Sequence, residues 1–352
     1  MNPLPITPSP ETVAVLKQTA LSERALAELK GVLRLIPNKD ILLNTLPLQE
    51  AKASSEIENI VTTDDELYKG QVGQQIDPTS KEVHNYVSAL HKGFDIITSS
   101  QILTSNNICE IQAILEGDNA GFRKQAGTVL KNNLGETVYE PPQELSAIQD
   151  LMNNLEQFIN DDAMSDLNPL VKMAIIHHRF ESIHPFYDGN GRTGRIINVL
   201  YLVQKGLLDI PILYLSRYIM THKDSYYRLL QSTREDGNWE PWILFMLKGV
   251  EDTATQTTKL IEKIFRLMDQ TKTRMESVLP KLVSQELIQS LFKHPYTKIE
   301  FFEEDLRVSR QTASKHLKAL SENGFLEMVK QGRTHYFINQ PLCHALIHVR
   351  DL

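Results

Sequence analysis

The chain is poor in cysteine and has no long apolar run. Its two cysteines, Cys109 and Cys343, stand far apart and without CxxC spacing among 352 residues. This excludes a disulfide framework and a cysteine zinc site, and it favours a reducing compartment. No apolar run approaches the roughly 18 residues that a membrane span needs, and the first residues lack the basic-then-apolar pattern of a secretion signal. We therefore expect a cytoplasmic protein with no membrane segment.

Several other patterns are also missing. No GxxxxGK[ST] motif occurs, which argues against an ordinary P-loop nucleotide site. There is no internal repeat and no low-complexity tract. The formal charge of −7 argues against a globally basic nucleic-acid binder, although it averages over domains. The length predicts two or three domains, and 41% apolar residues suffice to build their cores.

What is present is mostly helical periodicity. Four early prolines, at positions 3, 5, 8 and 10, predict an extended N-terminal arm. Apolar residues then recur at helical spacing through most of the chain, interrupted by a β-favouring, turn-rich segment that predicts a small hairpin near 127–139. The fold class is therefore mainly α. We expect an N-terminal helical region (1–100, with a helix at about 48–60), a catalytic core (101–250), a helical connector (251–280) and a C-terminal unit (281–352).

The C-terminal unit is predicted to contain three short helices followed by a hairpin, which is the order of elements in a winged helix-turn-helix domain. Its third helix is predicted to start after Ser309 and to end at Gly324. That helix region is basic and its sequence contains no acidic residue before position 322, as entry into a DNA groove would require. The basic residues are Arg307, Arg310, Lys315 and Lys318. DNA binding is one interpretation, and contact with a protein is the other.

The segment HPFYDGNGRTGR, residues 184–195, contains the side chains that phosphoryl chemistry needs. Glycines that open onto a helix leave backbone N–H groups free to bind phosphate. Arg192 and Arg195 can reach neighbouring phosphates, Asp188 offers an oxygen ligand to Mg²⁺, and His184 can accept a hydroxyl proton. The segment predicts phosphoryl or nucleotidyl transfer; a purely structural turn is the alternative. A metal cluster of His177, His178 and His184 is conceivable but fits no zinc spacing.

The same segment matches every fixed position of HxFx(D/E)GNGRxxR and thereby resembles the Fic (filamentation induced by cAMP) family, whose members mostly transfer AMP from ATP to protein hydroxyls. Upstream, Ser54, Glu58 and Asn59 in SSEIEN are similar to the inhibitory pattern (S/T)xxxE(G/N) of that family. We expect Ser54 and Glu58 to share one helix face, with Glu58 reaching Arg195. The resemblance covers almost the whole chain and implies a Fic-type helical bundle.

The resemblance also implies a role for each residue of the motif. His184 would deprotonate the target hydroxyl, Phe186 would anchor the loop, and Asp188 would hold Mg²⁺ between the α- and β-phosphates of ATP. The hairpin would be a flap that aligns the target protein by strand addition. The residues implied to contact ATP are Asp188, Gly189, Asn190, Gly191, Arg192, Thr193, Gly194, Arg195, the flap residues Thr128 and Val129, and, around the nucleoside, Tyr226 and Arg234.

The sequence thus predicts a protein adenylyltransferase that uses ATP and Mg²⁺, modifies a serine, threonine or tyrosine hydroxyl of a target protein or of itself, and is inhibited by Glu58. Family habit and the long connector favour a homodimer. Two other functions stay open: removal of AMP, with Glu58 orienting a water, and a DNA-binding regulator that responds to nucleotide without turnover. Transfer of another nucleotide-linked group is a more remote possibility.

Overall fold

The structure is a computed structural model that describes residues 1–34, 36, 38–71, 77–131, 134–331 and 334–349. It confirms the mainly α fold class, with small antiparallel sheets as the β component. The proline-rich arm has no helix or strand before Val13. It is anchored at Leu4, which is buried and whose backbone N–H and C=O pair with the side-chain amide of Asn154, at 2.7 and 3.1 Å.

Four helices form the N-terminal region. They are α1 (Val13–Leu33), α2 (Asp40–Ile57), α3 (Asp64–Gln71) and α4 (Pro78–Ser100). The sequence predicts a helix over about 48–60; α2 begins eight residues earlier, at Asp40, and ends at Ile57. Glu58 is its C-cap, and Asn59 has a left-handed backbone with a φ of 63°. Asparagine tolerates that conformation better than most residues, which explains why the helix stops there.

The helices of the central region surround one buried helix. They are α5 (Ser105–Glu116), α6 (Leu145–Asn160), α7 (Pro169–Ile183), α8 (Asn190–Gln204), α9 (Leu215–Thr221) and α10 (Lys223–Asp236). From Leu170 onward every residue of α7 is buried, and α6, α8 and the helix over residues 240–278 all pack against it. A helix buried on all sides gives a rigid support for the loop that follows it.

The predicted hairpin lies between α5 and α6. Strands β1 (Leu130–Lys131) and β2 (Thr137–Tyr139) pair antiparallel, with Leu130 opposite Tyr139. Asn132 and Asn133, where the turn is predicted, lie outside the described residues.

A single 39-residue helix, α11 (Glu240–Val278), joins the central region to the C-terminal unit. The boundary expected at 250/251 falls inside this continuous helix. Its first half packs along α1, where Gln18 donates to Glu251 at 2.8 Å and Ser22 donates to the backbone oxygen of Leu247 at 2.8 Å. Despite this length, no helix in the described part of the chain is apolar enough over a sufficient length to cross a membrane.

The C-terminal unit contains the three helices and the hairpin that the sequence predicts. The helices are α12 (Gln285–Lys293), α13 (Ile299–Leu306) and α14 (Arg310–Glu322), and the hairpin strands are β4 (Glu327–Gln331) and β5 (Thr334–Ile338). Ser309 caps α14 as predicted. The structure adds strand β3 (Tyr296–Thr297), which gives the sheet order β3-β5-β4, and helix α15 (Gln340–Ile347). Gly332 and Arg333, in the predicted turn, lie outside the described residues.

The basic residues of α14 have acidic neighbours in space, although their own sequence segment contains none before position 322. Arg310 pairs with Glu300 at 2.7 Å and with Glu303 at 3.5 Å, both on α13, and Lys318 pairs with Glu322 at 3.7 Å. The two glutamates lie on the preceding helix, ten and seven residues before Arg310, and the turn between the helices brings them close to it. Exposed ion pairs of this kind are weak because water and salt screen them, so they reduce the positive field of α14 without removing it. DNA binding by this unit stays a prediction.

Candidate active site

The segment 184–195 forms a loop between α7 and α8. His184, the C-cap of α7, has a left-handed backbone with a φ of 49°. Gly189, the N-cap of α8, also has a left-handed backbone, with a φ of 74°. Between them the side chain of Asn190 donates to the backbone oxygen of Phe186 and accepts from its N–H, both at 2.9 Å. The Phe186 ring is buried, as expected for an anchor. Asn190 therefore shapes the loop from inside.

The first turn of α8 is open to an anion. Its N-cap residue is Gly189, which has no side chain to cap the first N–H groups, and the positive end of the helix dipole lies at the same place. A β-carbon at Gly191 would collide with Oε1 of Glu58. The Glu58 carboxylate thus rests against the bare backbone of the loop, where a phosphate oxygen of a ligand would also find its donors.

Arg195 is the second partner of that carboxylate. Its Nη2 donates to Oε1 of Glu58 at 2.9 Å, and the guanidinium also donates to Ser54, to Oγ at 2.8 Å and to the backbone oxygen at 2.9 Å. The Arg195 side chain is only 1% exposed, whereas that of Glu58 is 36% exposed. Glu58 is the C-cap of α2 and not a residue within the helix, and it binds the same arginine as Ser54, four residues earlier.

Arg192 binds two other carboxylates. Its Nη1 donates to Glu82 at 2.8 Å and its Nη2 donates to Glu116 at 2.9 Å, so two carboxylates on α4 and α5 bind a side chain that is almost fully buried. A β-carbon at Gly189 would collide with the Glu116 carboxylate. Arg192 thereby joins the loop to α4 and α5, and the phosphate contact implied by the resemblance stays a prediction.

His184 is largely buried at the end of α7. Burial, followed by the nearby charges of Arg123 and Arg234, lowers the pKa of His184 to about 4. The imidazole is therefore neutral near pH 7 and has a lone pair with which to accept a proton.

Arg123 is a residue that the sequence reasoning missed. It is fully buried, its Nε donates to the backbone oxygen of His184 at 2.8 Å, and its N–H donates to that of Pro185 at 2.9 Å. Its Nη2 also donates to the backbone oxygen of Pro142, beyond the hairpin. Arg123 therefore links the end of the hairpin to the loop. Its sequence neighbourhood, GFRKQ, carries no signal that would have identified this contact.

Asp188 is exposed at the outer edge of the loop. Its Oδ1 accepts from the N–H of Gly189 at 2.7 Å, which leaves Oδ2 able to face a cation. Within the described ranges no group of three or more His, Cys, Asp or Glu side chains is arranged to hold a metal ion. One carboxylate is nevertheless compatible with Mg²⁺, which commonly takes one or two carboxylates and completes its shell with phosphate oxygens and water.

The other two histidines belong to the core. Nε2 of His177 lies 2.9 Å from the Tyr226 hydroxyl, and Nε2 of His178 lies 3.1 Å from the backbone oxygen of Leu230. Burial lowers the pKa of each to about 3. Tyr226 is itself buried and packs against Trp242, so its contact with a nucleoside stays a prediction.

Arg234 contacts the last turn of α7. Its Nε donates to Ser182 at 2.9 Å, its Nη2 donates to the backbone oxygen of Glu181 at 3.2 Å, and its guanidinium stacks on the Tyr139 ring at 4.0 Å. This places Arg234 between the end of α7 and strand β2 of the hairpin, and its nucleoside contact also stays a prediction.

The remaining predicted residues fall into two places. Thr193 and Gly194 lie on the buried side of α8, where a β-carbon at Gly194 would press on Glu181 and Phe180 of α7. They set the close approach of the two helices. Thr128 and Val129 precede β1. Gln143, which follows β2, donates to the backbone oxygen of Thr128 at 2.9 Å and so connects the two ends of the hairpin. Val129 is exposed, as a surface for a target segment requires.

Family models match three parts of the chain. Residues 16–95 match a model described as Fic/DOC family N-terminal, and residues 102–202 match one described as Fic/DOC family. Residues 267–342 match the C-terminal domain of SoFic-like protein adenylyltransferases. The second match contains the loop, α7 and most of α8, and the first contains α2 and Glu58.

Individual proteins show the same likeness. The chain is 27% identical over 225 residues to the protein adenylyltransferase Fic of Drosophila willistoni, covering 60% of this chain and 42% of that protein. It is 28% identical over 188 residues to the protein of that name from Aedes aegypti, covering 51% and 35%. It therefore spans less than half the length of these curated relatives. The crystal structure of a Fic family protein from Desulfovibrio desulfuricans G20 covers 96% of this chain and 98% of its own, with 20% identity and a TM-score of 0.60, which shows a shared fold.

Proposed function

We propose that this chain, which belongs to the Fic/DOC family, is a protein adenylyltransferase that transfers AMP from ATP to a serine, threonine or tyrosine hydroxyl of a protein. The observation that carries the proposal is the juxtaposition of a neutral, buried His184 with the bare first turn of α8. Such a pair offers a base for the attacking hydroxyl and an anion site for the group that is expelled. A base or an anion site alone would not align both reactants.

In the proposed reaction, the imidazole of His184 accepts the proton of the target hydroxyl while the hydroxyl oxygen attacks the α-phosphorus of ATP. The bond from the α-phosphorus to the oxygen bridging it to the β-phosphate breaks, and pyrophosphate leaves with the bonding electrons. Negative charge grows on this leaving group. The N–H groups at the start of α8 and the guanidinium of Arg195 are suited to stabilise that charge, because they are fixed before the reaction starts.

Mg²⁺ fits the same site, with Asp188 as its protein ligand through Oδ2. When bound, the ion would neutralise charge on the phosphates of ATP. Asp188 has a second task in this chain, because its Oδ1 holds the N–H of Gly189 and so helps to keep the left-handed turn that opens α8.

The two tasks of Asp188 can be separated by two substitutions. We expect Asp188→Ala and Asp188→Asn, each in a Glu58→Gly background, to lower AMP transfer by about tenfold or more, since a metal ligand is lost in both. Asn retains an oxygen that can accept from Gly189, so its loop stays intact. The measurement is transfer from α-labelled ATP across an Mg²⁺ titration. Full activity of Asp188→Asn at ordinary Mg²⁺ would assign Asp188 to the loop alone.

The lowered pKa of His184 predicts the pH dependence of transfer. A base with an ordinary pKa near 6.5 would be only about one-tenth neutral at pH 5.5. With a pKa of about 4, His184 stays neutral there, so we expect the rate to fall by less than about twofold between pH 7.5 and 5.5. The rate is measured at low ATP in Glu58→Gly protein. ATP binding by His184→Asn over the same range is the control, and a tenfold loss of rate with unchanged binding would contradict the assignment.

We further propose that Glu58 inhibits the enzyme. Its carboxylate bonds to Arg195 and rests on Gly191, so it competes with a phosphate for both donors. ATP could still bind through its other groups but with its terminal phosphates displaced. Binding would persist while the chemistry stalls.

The reaction itself is tested with ATP labelled on either the α- or the γ-phosphate, using Glu58→Gly protein alone and with a cell extract. AMP transfer places only the α label on protein. Transfer of the γ label would identify a kinase-type reaction, and absence of either label with ATP bound would favour a nucleotide-responsive regulator. Release of AMP from pre-labelled protein by the chain that retains Glu58 would show that it removes AMP.

A further inference from the structure

Lys223, the first residue of α10, contacts the turn that follows α2. Its Nζ donates to the backbone oxygen of Ile57 at 2.6 Å and to Oδ1 of Asn59 at 3.3 Å. Ile57 is the last residue of α2, where carbonyl groups lack helical partners and the helix dipole is negative. An ammonium group at this position stabilises the end of the helix.

The two groups that Lys223 contacts lie on either side of Glu58. Within the turn, the N–H groups of Glu58 and Ile60 both donate to the backbone oxygen of Ser55, at 3.0 Å each. Asn59 follows Glu58 in the left-handed conformation. The direction of the Glu58 side chain therefore depends on this turn, and Lys223 is the side chain that ties both of its ends to α10.

We propose that Lys223 is a positioning residue that keeps Glu58 on Arg195 and so sets the strength of the inhibition. The inference rests on the proposed function, because it concerns the carboxylate that blocks the anion site. Since Glu58 is itself 36% exposed, its pairing with Arg195 competes with water, and a loosened turn shifts the carboxylate away from the arginine. Lys223 acts only through Glu58 and touches neither His184 nor the start of α8.

The test uses Lys223→Met, which keeps the length of the apolar stem and removes the ammonium, and Lys223→Arg, which can still donate to both oxygens. Lys248→Met is the matched control, because Lys248 lies on the surface of α11 and pairs with Glu251 and Asp252. We expect Lys223→Met to raise transfer from α-labelled ATP by about three- to tenfold. Lys223→Arg and Lys248→Met should stay near the original rate.

The decisive comparison combines Lys223→Met with Glu58→Gly. If Lys223 acts through Glu58, the double variant is as active as Glu58→Gly alone. A further gain in the double variant, or an unchanged rate in a stable Lys223→Met protein while Glu58→Gly is active, would overturn the inference and leave the proposed function standing. If Glu58→Gly transfers nothing, the proposed function and this inference are both wrong.

A second measurement does not depend on activity. Amide hydrogen exchange at residues 58–60 reports directly on the turn. We expect faster exchange there in Lys223→Met and unchanged exchange in Lys248→Met. Equal protection of this segment in all variants would show that Lys223 does not stabilise the turn.

Discussion

Replacing Glu58 with glycine is expected to raise AMP transfer by about tenfold or more, which corresponds to about 1.4 kcal/mol or more in favour of the inhibited arrangement. The Arg195 guanidinium is buried and would be released from its only acidic hydrogen-bond partner in the described part of the chain. Removing one partner of a fully buried, hydrogen-bonded charge pair costs about 2–5 kcal/mol, and the partial exposure of Glu58 places the expected effect below that range. The measurement is transfer from α-labelled ATP.

Two further variants show whether the effect is specific. Glu56→Gly places a glycine in the last turn of α2 without touching the ion pair, so it controls for a weakened helix end. Arg195→Ala in the Glu58→Gly background should erase the gain, because the phosphate then lacks its cation. An unchanged rate in folded Glu58→Gly protein would remove the inhibitory role and leave the transferase proposal intact.

Replacing His184 is expected to lower transfer in the Glu58→Gly background by about 100-fold or more while ATP affinity changes little, since a general base contributes about 10²- to 10⁴-fold. The imidazole is assigned to the acceptor hydroxyl, whereas the anion site is formed by the start of α8 and Arg195. Single-turnover transfer and equilibrium ATP binding, measured on the same preparations, separate the two effects.

The left-handed backbone of His184 complicates an alanine substitution, because alanine adopts that conformation less readily than histidine or asparagine. His184→Asn is therefore the better variant, since asparagine tolerates that conformation and cannot act as a base near pH 7. His335→Ala, at an exposed position of β5, controls for the loss of a histidine elsewhere. Loss of ATP binding together with transfer in His184→Asn would move this residue from the chemistry to the binding site.

The local order of the loop could be predicted from the sequence. Glycines at 189 and 191 indicate close approach to another group, and the structure places carboxylates where their β-carbons would be. Ser309 as an N-cap, the proline arm and the hairpin before α6 were likewise predicted from neighbouring residues and are present in the structure. These features depend on backbone conformation and on contacts a few residues apart, which sequence patterns report directly.

Contacts between distant segments were predicted unevenly. The pairing of Glu58 with Arg195, 137 residues apart, was expected only because the chain resembles a family that has both motifs. The acids that pair with Arg192, and the contact of Arg123 with the loop, left no trace in the local pattern. Glu82 and Glu116 lie 110 and 76 residues from Arg192, and no periodicity relates a carboxylate that far away to its partner. The glutamates of α13 lie only seven and ten residues before Arg310, but they belong to another helix, and the turn between α13 and α14 brings them to the arginine.

The sequence by itself thus determined the mainly α class, the loop between α7 and α8, and the side chains available there for acid–base and phosphate chemistry. Only the tertiary structure decided which of these side chains already bind other groups of the protein. Arg192 is bound by two glutamates, Asn190 and Gly194 support the loop and the helix contact, and Lys223 ties the turn of Glu58 to α10. The physical reason is that hydrogen bonds and ion pairs depend on distances of about 3 Å in space, which chain order does not encode.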